Sequence, residues 1–216
     1  QALSLQQFRL FAGRQHRLYD RNRLGPAFHL MSESSSTNIA LIGSPNSGKS
    51  LLFNRLTGLN QKVANFPGIT VDISSGKSLV DSSTEYLDFP GVYSLKAISG
   101  EEKLAVDSFY KALDKGHLNA VICVVDATRL EKGLIFALQV LETCRRHKMP
   151  MLIVANMTDV LELHKIQLDS QGLSAALKVP VLPISGKTGS GLDNIPTAIA
   201  SATAPTETYA SAGDII

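Results

Sequence analysis

"GSPNSGKS", residues 43 to 50, lies between the apolar run "NIALI" and the helix-like "LLFNRL". A glycine, four variable residues and then Gly-Lys-Ser is the spacing of a phosphate-binding loop, and a strand before it and a helix after it are the context that gives the pattern a mechanism. Gly43 and Gly48 let the backbone curl so that successive N–H groups point at phosphate oxygens. Lys49 is placed to reach the β- and γ-phosphates and Ser50 to ligate Mg2+, while the positive end of the following helix favours the anion. The run of Gly43, Ser44, Pro45, Asn46, Ser47, Gly48, Lys49, Ser50 and Leu51 is therefore expected to line a nucleotide. The bland reading of the same residues is a Gly-rich turn with an exposed lysine.

Outward from this loop, short β-rich runs alternate with helical patterns. "NIALIG" is followed by a helix from Lys49, then "TVDISSGKSLV", "TEYLDF", a helix near 101 to 114, "NAVICVVDA" and a helix near 131 to 147. "PMLIVANM", a helix after Thr158, "VPVLPIS" and a helix near 191 to 201 complete the series. Such alternation predicts an α/β fold: a phosphate-loop NTPase G domain whose doubly wound, mostly parallel sheet carries helices on both faces.

The base is selected downstream. "NMTD" at 156 to 159 follows the fifth predicted strand and sets Asn156 and Asp159 three residues apart. A carboxylate there can accept from guanine N1–H and the 2-amino group, a donor pair that adenine lacks. Alone, this spacing also suits a helix cap; its position after a strand of a phosphate-loop fold favours the base. "SGKTG" at 185 to 189 follows the last strand, where Ser185 can buttress Asp159 and the backbone at Gly186 and Lys187 can meet the guanine oxygen.

Between these segments lie "NFPGIT" at 65 to 70 and "DFPG" at 88 to 91. Asp88 can hold the Mg2+ shell through water, and Gly91 N–H can meet the γ-phosphate. Gly68 and Ile69 lead to Thr70, whose hydroxyl can complete the metal shell only with GTP. These are the expected switches, ordered by γ-phosphate and Mg2+ and relaxed by hydrolysis. Each tetrapeptide alone would suit a Pro-Gly turn; five elements in order at compatible spacings select the nucleotide reading.

The 216 residues, 44% of them hydrophobic, can build one α/β core. Net charge is +2, but the first 36 residues hold five arginines against Asp20 and Glu33, so the rest sums to −1. That balance offers no cationic stripe for nucleic acid. "RRHK" at 145 to 148 reads as a solvated helix end complementing the dipole, and His117 and His164 lack neighbours at ligand spacing. Cys123 and Cys144 sit in apolar patterns that suit buried thiols in a reducing compartment. Runs such as "AVICVV" fall far short of the roughly 20 residues needed to span a bilayer, so no membrane insertion is expected of this chain. The expected organisation is an N-terminal extension over 1–37, a G domain over 38–204 and a flexible tail over 205–216. "MSESSSTN" from Met31 reads as a natural start, which would make the preceding residues a vector remnant; an Arg-rich transit peptide is the alternative.

"GSPNSGKSLLFNRLTG", "VANFPGITVD", "LDFPGVYSL…SGEEKLA", "VVDATRLEKGL" and "ANMTD" together resemble, over residues 38 to 200, the cytosolic G domain of the bacterial ferrous iron transport protein B family (FeoB). Small soluble potassium-dependent GTPases of ribosome assembly or tRNA modification share the phosphate loop and are the alternative. They usually carry "TPG" in both switches and a lysine in the guanine motif, where this chain has "NFPGIT", "DFPGVYSL" and Met157. Two departures stand out. The resembled family continues into a small helical domain and then a membrane part, so the helical domain is expected to be absent or truncated here. "SGK" also replaces the commoner "SA" at Gly186.

The resemblance implies GTP and GDP as ligands, with Mg2+ and K+, and slow, K+-stimulated hydrolysis. Ras-like enzymes orient water with a glutamine after the "DxxG" glycine; this chain has Val92, which can neither donate nor accept. In the resembled family an asparagine at the position of Asn46 ligates K+, with first-switch carbonyls around 60 to 69 completing the shell. The bland reading of Asn46 is a turn residue. Asn46, Lys49, Thr70 and Gly91 are thus the expected catalytic set, with Ser50, Thr70 and Asp88 at Mg2+ and Asn46 at K+. The resemblance further implies gating or energising of Fe2+ uptake at the cytoplasmic face of the bacterial inner membrane. The partner there is a membrane-spanning part of the same transporter, and a homo-oligomer is open. A nucleotide-state sensor with little turnover is a third reading.

Overall fold

The computed structural model describes residues 36–58, 62–64, 71–96 and 100–206. The expectations for Gly68, Ile69 and Thr70, for most of the N-terminal extension and for the end of the tail lie outside these residues.

Seven described strands form one sheet: β1 (Thr37–Gly43), β2 (Lys62–Ala64), β3 (Ile73–Lys77), β4 (Thr84–Asp88), β5 (Ala120–Asp126), β6 (Met151–Asn156) and β7 (Val181–Pro183), in the spatial order β2-β3-β4-β1-β5-β6-β7. The five strands from β4 to β7 run parallel, while β2 and β3 complete the sheet antiparallel at one edge. The run "TVDISSGKSLV" is thus strand only over Ile73–Lys77, and β2 is a strand that its three residues do not announce.

The described helices are α1 (Lys49–Thr57), α2 (Gly100–Asp114), α3 (Leu130–Arg146), α4 (Thr158–Leu163), α5 (Ser170–Leu177) and α6 (Ile195–Ala200). The predicted single helix after Thr158 is two, because Lys165 takes a left-handed φ of 58° and Asp169 starts α5 by accepting from Gly172 N–H. The last helix opens with a 3-10 turn over Leu192–Asn194.

Central strands read as near-continuous apolar runs because both faces are covered; every residue of β6 is buried. Period-two alternation then sorts their side chains. Ala40, Ile42, Val121, Cys123, Val125 and Ile153 face a cluster with Phe109 of α2, Phe136 and Val140 of α3 and Leu177 of α5. Ile39, Leu41, Ile122, Val124 and Val154 face the other, with Leu52 and Phe53 of α1 and Ile195 of α6. Phe89 and Phe109 meet edge to face at 5.5 Å in the larger cluster, which fixes α2 under the segment after β4. Burial in this cluster pushes the Cys123 and Cys144 thiols well up, Cys144 to about 12. No described helix is long and apolar enough to cross a membrane. The parallel strands bring the ends of β1, β4, β5 and β6 to one edge of the sheet, where ligands of such sheets collect.

Candidate functional site

The loop after β1 is shaped by close approaches. A Cβ on Gly43 would come within 2.6 Å of the Val124 carbonyl oxygen. Gly48 adopts φ +81°, and a Cβ there would lie 2.2 Å from Asn156 Nδ2. Asn46 holds a left-handed φ of 66°, which asparagine tolerates better than most residues. Gly48 caps α1 with no side-chain hydrogen bond, so the first-turn N–H groups carry no side-chain cap. Ser47 is buried and its hydroxyl has no partner among the described residues.

Charge converges on the start of α1. Lys49 is 7% exposed and its ammonium pairs with Asp88 at the end of β4. Ser50 Oγ donates to the other oxygen of the same carboxylate at 3.1 Å. The three residues assigned to phosphate and Mg2+ thus meet at one point, and a hydroxyl beside a carboxylate is the hard oxygen donor set that suits Mg2+. No cluster of three or more His, Cys, Asp or Glu side chains that could hold a metal is found among the described residues.

Past Asp88 the chain stays against β1: Phe89 N–H donates to Leu41 O at 3.1 Å and Val92 N–H to Gly43 O at 3.2 Å. Gly91 lies so close to Pro45 that a Cβ would sit 3.2 Å from its nitrogen. Gly91 and the loop residues Ser44, Pro45, Asn46, Gly48, Lys49, Ser50 and Leu51 line a single cavity. The Val92 side chain is buried in the core and does not enter it.

The opposite end of the site is built from β6, α4 and the loop after β7. Asn156 is 2% exposed; its Nδ2 donates to Ser47 O at 3.0 Å and its Oδ1 accepts from Gly186 N–H at 2.9 Å. Its amide therefore ties the phosphate loop to "SGKTG". Met157, with φ 70°, turns the chain into α4, and Asp159 follows in the first helical turn. Ser185 Oγ accepts from Thr188 N–H at 3.1 Å and donates its proton to Asp159 Oδ1 at 2.7 Å. That fixes the carboxylate while leaving Oδ2 without a protein partner among the described residues.

Three residues escape sequence reasoning. Arg55 of α1 donates through Nε to Gly186 O at 3.2 Å and through Nη2 to Lys187 O at 2.8 Å, holding the loop after β7. Glu102 Oε1 accepts from Tyr93 N–H at 3.0 Å, and Gln139 Oε1 accepts from Leu95 N–H at 2.8 Å. No local pattern marks these three, since each acts on a loop outside its own helix.

Residues 37–199 match the family described as Ferrous iron transport protein B. The Fe(2+) transporter FeoB of Leptospira biflexa is 40% identical over 161 residues, which cover 74% of this chain and 22% of that protein. That of Shigella flexneri is 39% identical over 162 residues, 74% of this chain and 20% of its own length. The chain thus spans about a fifth of the length of these relatives. Among solved structures, S. thermophilus NFeoB bound to GDP·AlF4− and K+ is 40% identical with a TM-score of 0.65, covering 80% of this chain and 64% of that one. A GDP-bound variant of the same protein gives 39% identity, a TM-score of 0.69 and coverage of 81% and 64%. A variant bound to GMPPNP gives 39% identity, a TM-score of 0.65 and coverage of 80% and 64%. With a family match across most of its length, and relatives that share two residues in five, this chain belongs to the ferrous iron transport protein B family.

Proposed function

We propose that residues 38–204 form a G domain that binds GTP and hydrolyses it slowly to GDP and phosphate. Its role is to gate or energise Fe2+ uptake by a membrane-spanning part of the same transporter at the cytoplasmic face of the inner membrane. One observation carries the reading. A phosphate cradle with Lys49, Ser50 and Asp88 at one end is joined through the buried amide of Asn156 to an Asp159–Ser185 pair at the other. The relatives supply the ligand class, since NFeoB is described with GDP, with GMPPNP and with GDP·AlF4− and K+.

On this reading Asp159 accepts from the two guanine donors, while Ser185 holds the carboxylate. A phosphate entering the cradle exchanges with Asp88 as the partner of Lys49, and Ser50 and Asp88 then serve Mg2+. Thr70 would complete that shell with GTP bound. Bound Mg2+ and K+ would supply positive charge to the phosphates, as an arginine finger does elsewhere. Asn46, left-handed and lining the cavity at the phosphate loop, would hold K+ through its amide oxygen. Val92, buried, orients no water, so positioning there falls to backbone groups, with Gly91 N–H meeting the γ-phosphate.

The test is GTP turnover by this chain in KCl and in NaCl at equal ionic strength, with GDP affinity measured alongside. Faster turnover in KCl is expected, because Na+ is too small for a K+-sized shell. Equal rates would remove K+ from the mechanism, and failure to bind GDP would remove the function.

A further inference from the structure

Within four residues of Gly91, the segment leaves β1 and passes to two helices. Tyr93 N–H donates to Glu102 Oε1 of α2 at 3.0 Å. Gln139, in the middle of α3 and half-buried, offers one oxygen to two donors: Ser94 Oγ at 3.0 Å and Leu95 N–H at 2.8 Å. Ser94 Oγ in turn accepts from Lys96 N–H at 3.0 Å, so its single proton is directed at Gln139. The segment is pinned at Phe89 and Val92 by β1 and at Leu95 by α3. Gly91, against Pro45, lies between these anchors.

We propose that Gln139 is a positioning residue for GTP hydrolysis: it holds Ser94 and Leu95 so that the Gly91 backbone stays registered over the phosphate loop. The inference rests on the GTPase reading above. The physical reason is the absence of a side chain that could correct an error. Where a glutamine orients water, its rotamers absorb small backbone displacements; here the side chain after Gly91 is a buried valine, and the group that acts is the backbone itself. A backbone donor is only as well placed as its anchors, and a displacement of about 1 Å can cost up to about a hundredfold in rate. Ser94 and Leu95 are linked to Gly91 by three and four residues of chain. Gln139 closes the far end of that span from a helix fixed in the core by Phe136 and Val140.

The design of the contact supplies its own control. Both partners of Oε1 are donors, so a carboxylate can replace the amide oxygen, whereas alanine cannot. In Gln139→Ala, kcat should fall about tenfold, while GDP affinity, which depends on loops that Gln139 does not touch, stays within about twofold. Gln139→Glu should keep most of the rate. Ser94→Ala, which removes one of the two donors, should lose less, and the double variant S94A/Q139A should lose no more than Q139A alone. Hydrogen exchange of the peptide containing Leu95, followed by mass spectrometry, reads the contact without reference to activity. Q139A should expose this amide and Q139E protect it.

Unchanged kcat in Q139A, with normal turnover in the parent chain, would overturn this inference and leave the GTPase reading intact. So would equal losses in Q139A and Q139E, or a parallel loss of GDP affinity. Absence of turnover in the parent chain would overturn both, even if the exchange data upheld the contact.

Discussion

The two ends of the site are built by opposite rules. At the base end the protein's groups, Asp159 Oδ2 apart, are mutually satisfied: both ends of the Asn156 amide are bonded, Ser185 is oriented by Thr188, and Arg55 holds two loop carbonyls. At the phosphate end Lys49 and Ser50 share one carboxylate, the Ser47 hydroxyl has no partner among the described residues, and Asn46 sits in a left-handed conformation. A preorganised end costs little reorganisation when ligand arrives and so, on the proposed function, would set affinity and base choice. An end whose charged groups can exchange partners suits the step in which charge moves.

The largest expected effect breaks the base end. Asp159→Asn replaces an acceptor with a donor facing guanine donors, which should cost about 3 kcal/mol in GDP binding. Xanthosine diphosphate, with a carbonyl at position 2, should then bind better than GDP, as competition with a fluorescent nucleotide would record. Retention of the original guanine preference would show that Asp159 does not read the base.

Next comes the link between the ends. Asn156→Ala leaves the Ser47 carbonyl and the Gly186 N–H without their partner, two buried groups worth about 2 kcal/mol together. Urea unfolding should show that loss, and GDP affinity should fall with it, since both loops move. A stability loss with unchanged affinity would mean that the two ends are independent.

A smaller effect sharpens the phosphate end alone. Asn46→Ala should abolish the difference between K+ and Na+ in GTP turnover, roughly tenfold or about 1.4 kcal/mol in barrier, while GDP affinity is largely kept because Lys49 and the backbone remain. A K+ preference that survives in the variant would take Asn46 out of the cation shell.

The smallest lies outside both ends. Arg145, and then Arg146, hold the Glu142 carboxyl down to about 2 from its ordinary 4.5. A depressed carboxylate stabilises the fold above the unfolded value, and that contribution is lost as pH falls from about 4.5 toward about 2. Glu142→Gln should lower the thermal midpoint by no more than about 2 °C at pH 7. The gap to the parent should close through that acid window, with nucleotide binding unchanged at neutral pH.

What the sequence determined by itself is what short stretches of backbone require. A left-handed turn needing Gly48, a strand ending in an acid at Asp88, and an Asn–x–x–Asp after an apolar strand are local demands, written within a few residues. The apolar runs of β1, β5 and β6 likewise announce a parallel sheet covered on both faces, because burial on two sides leaves no alternation to read. Tertiary structure alone decided the partners. Asn156 reaches Ser47 across 109 residues and Arg55 reaches Gly186 across 131. β2 is a strand only because β3 offers it a ladder, and Gln139 reads as an ordinary polar residue of an amphipathic helix until α3 packs beside Leu95. The reason is that a side chain's chemistry is fixed by its type, while the group it meets depends on which surfaces the packed core brings together.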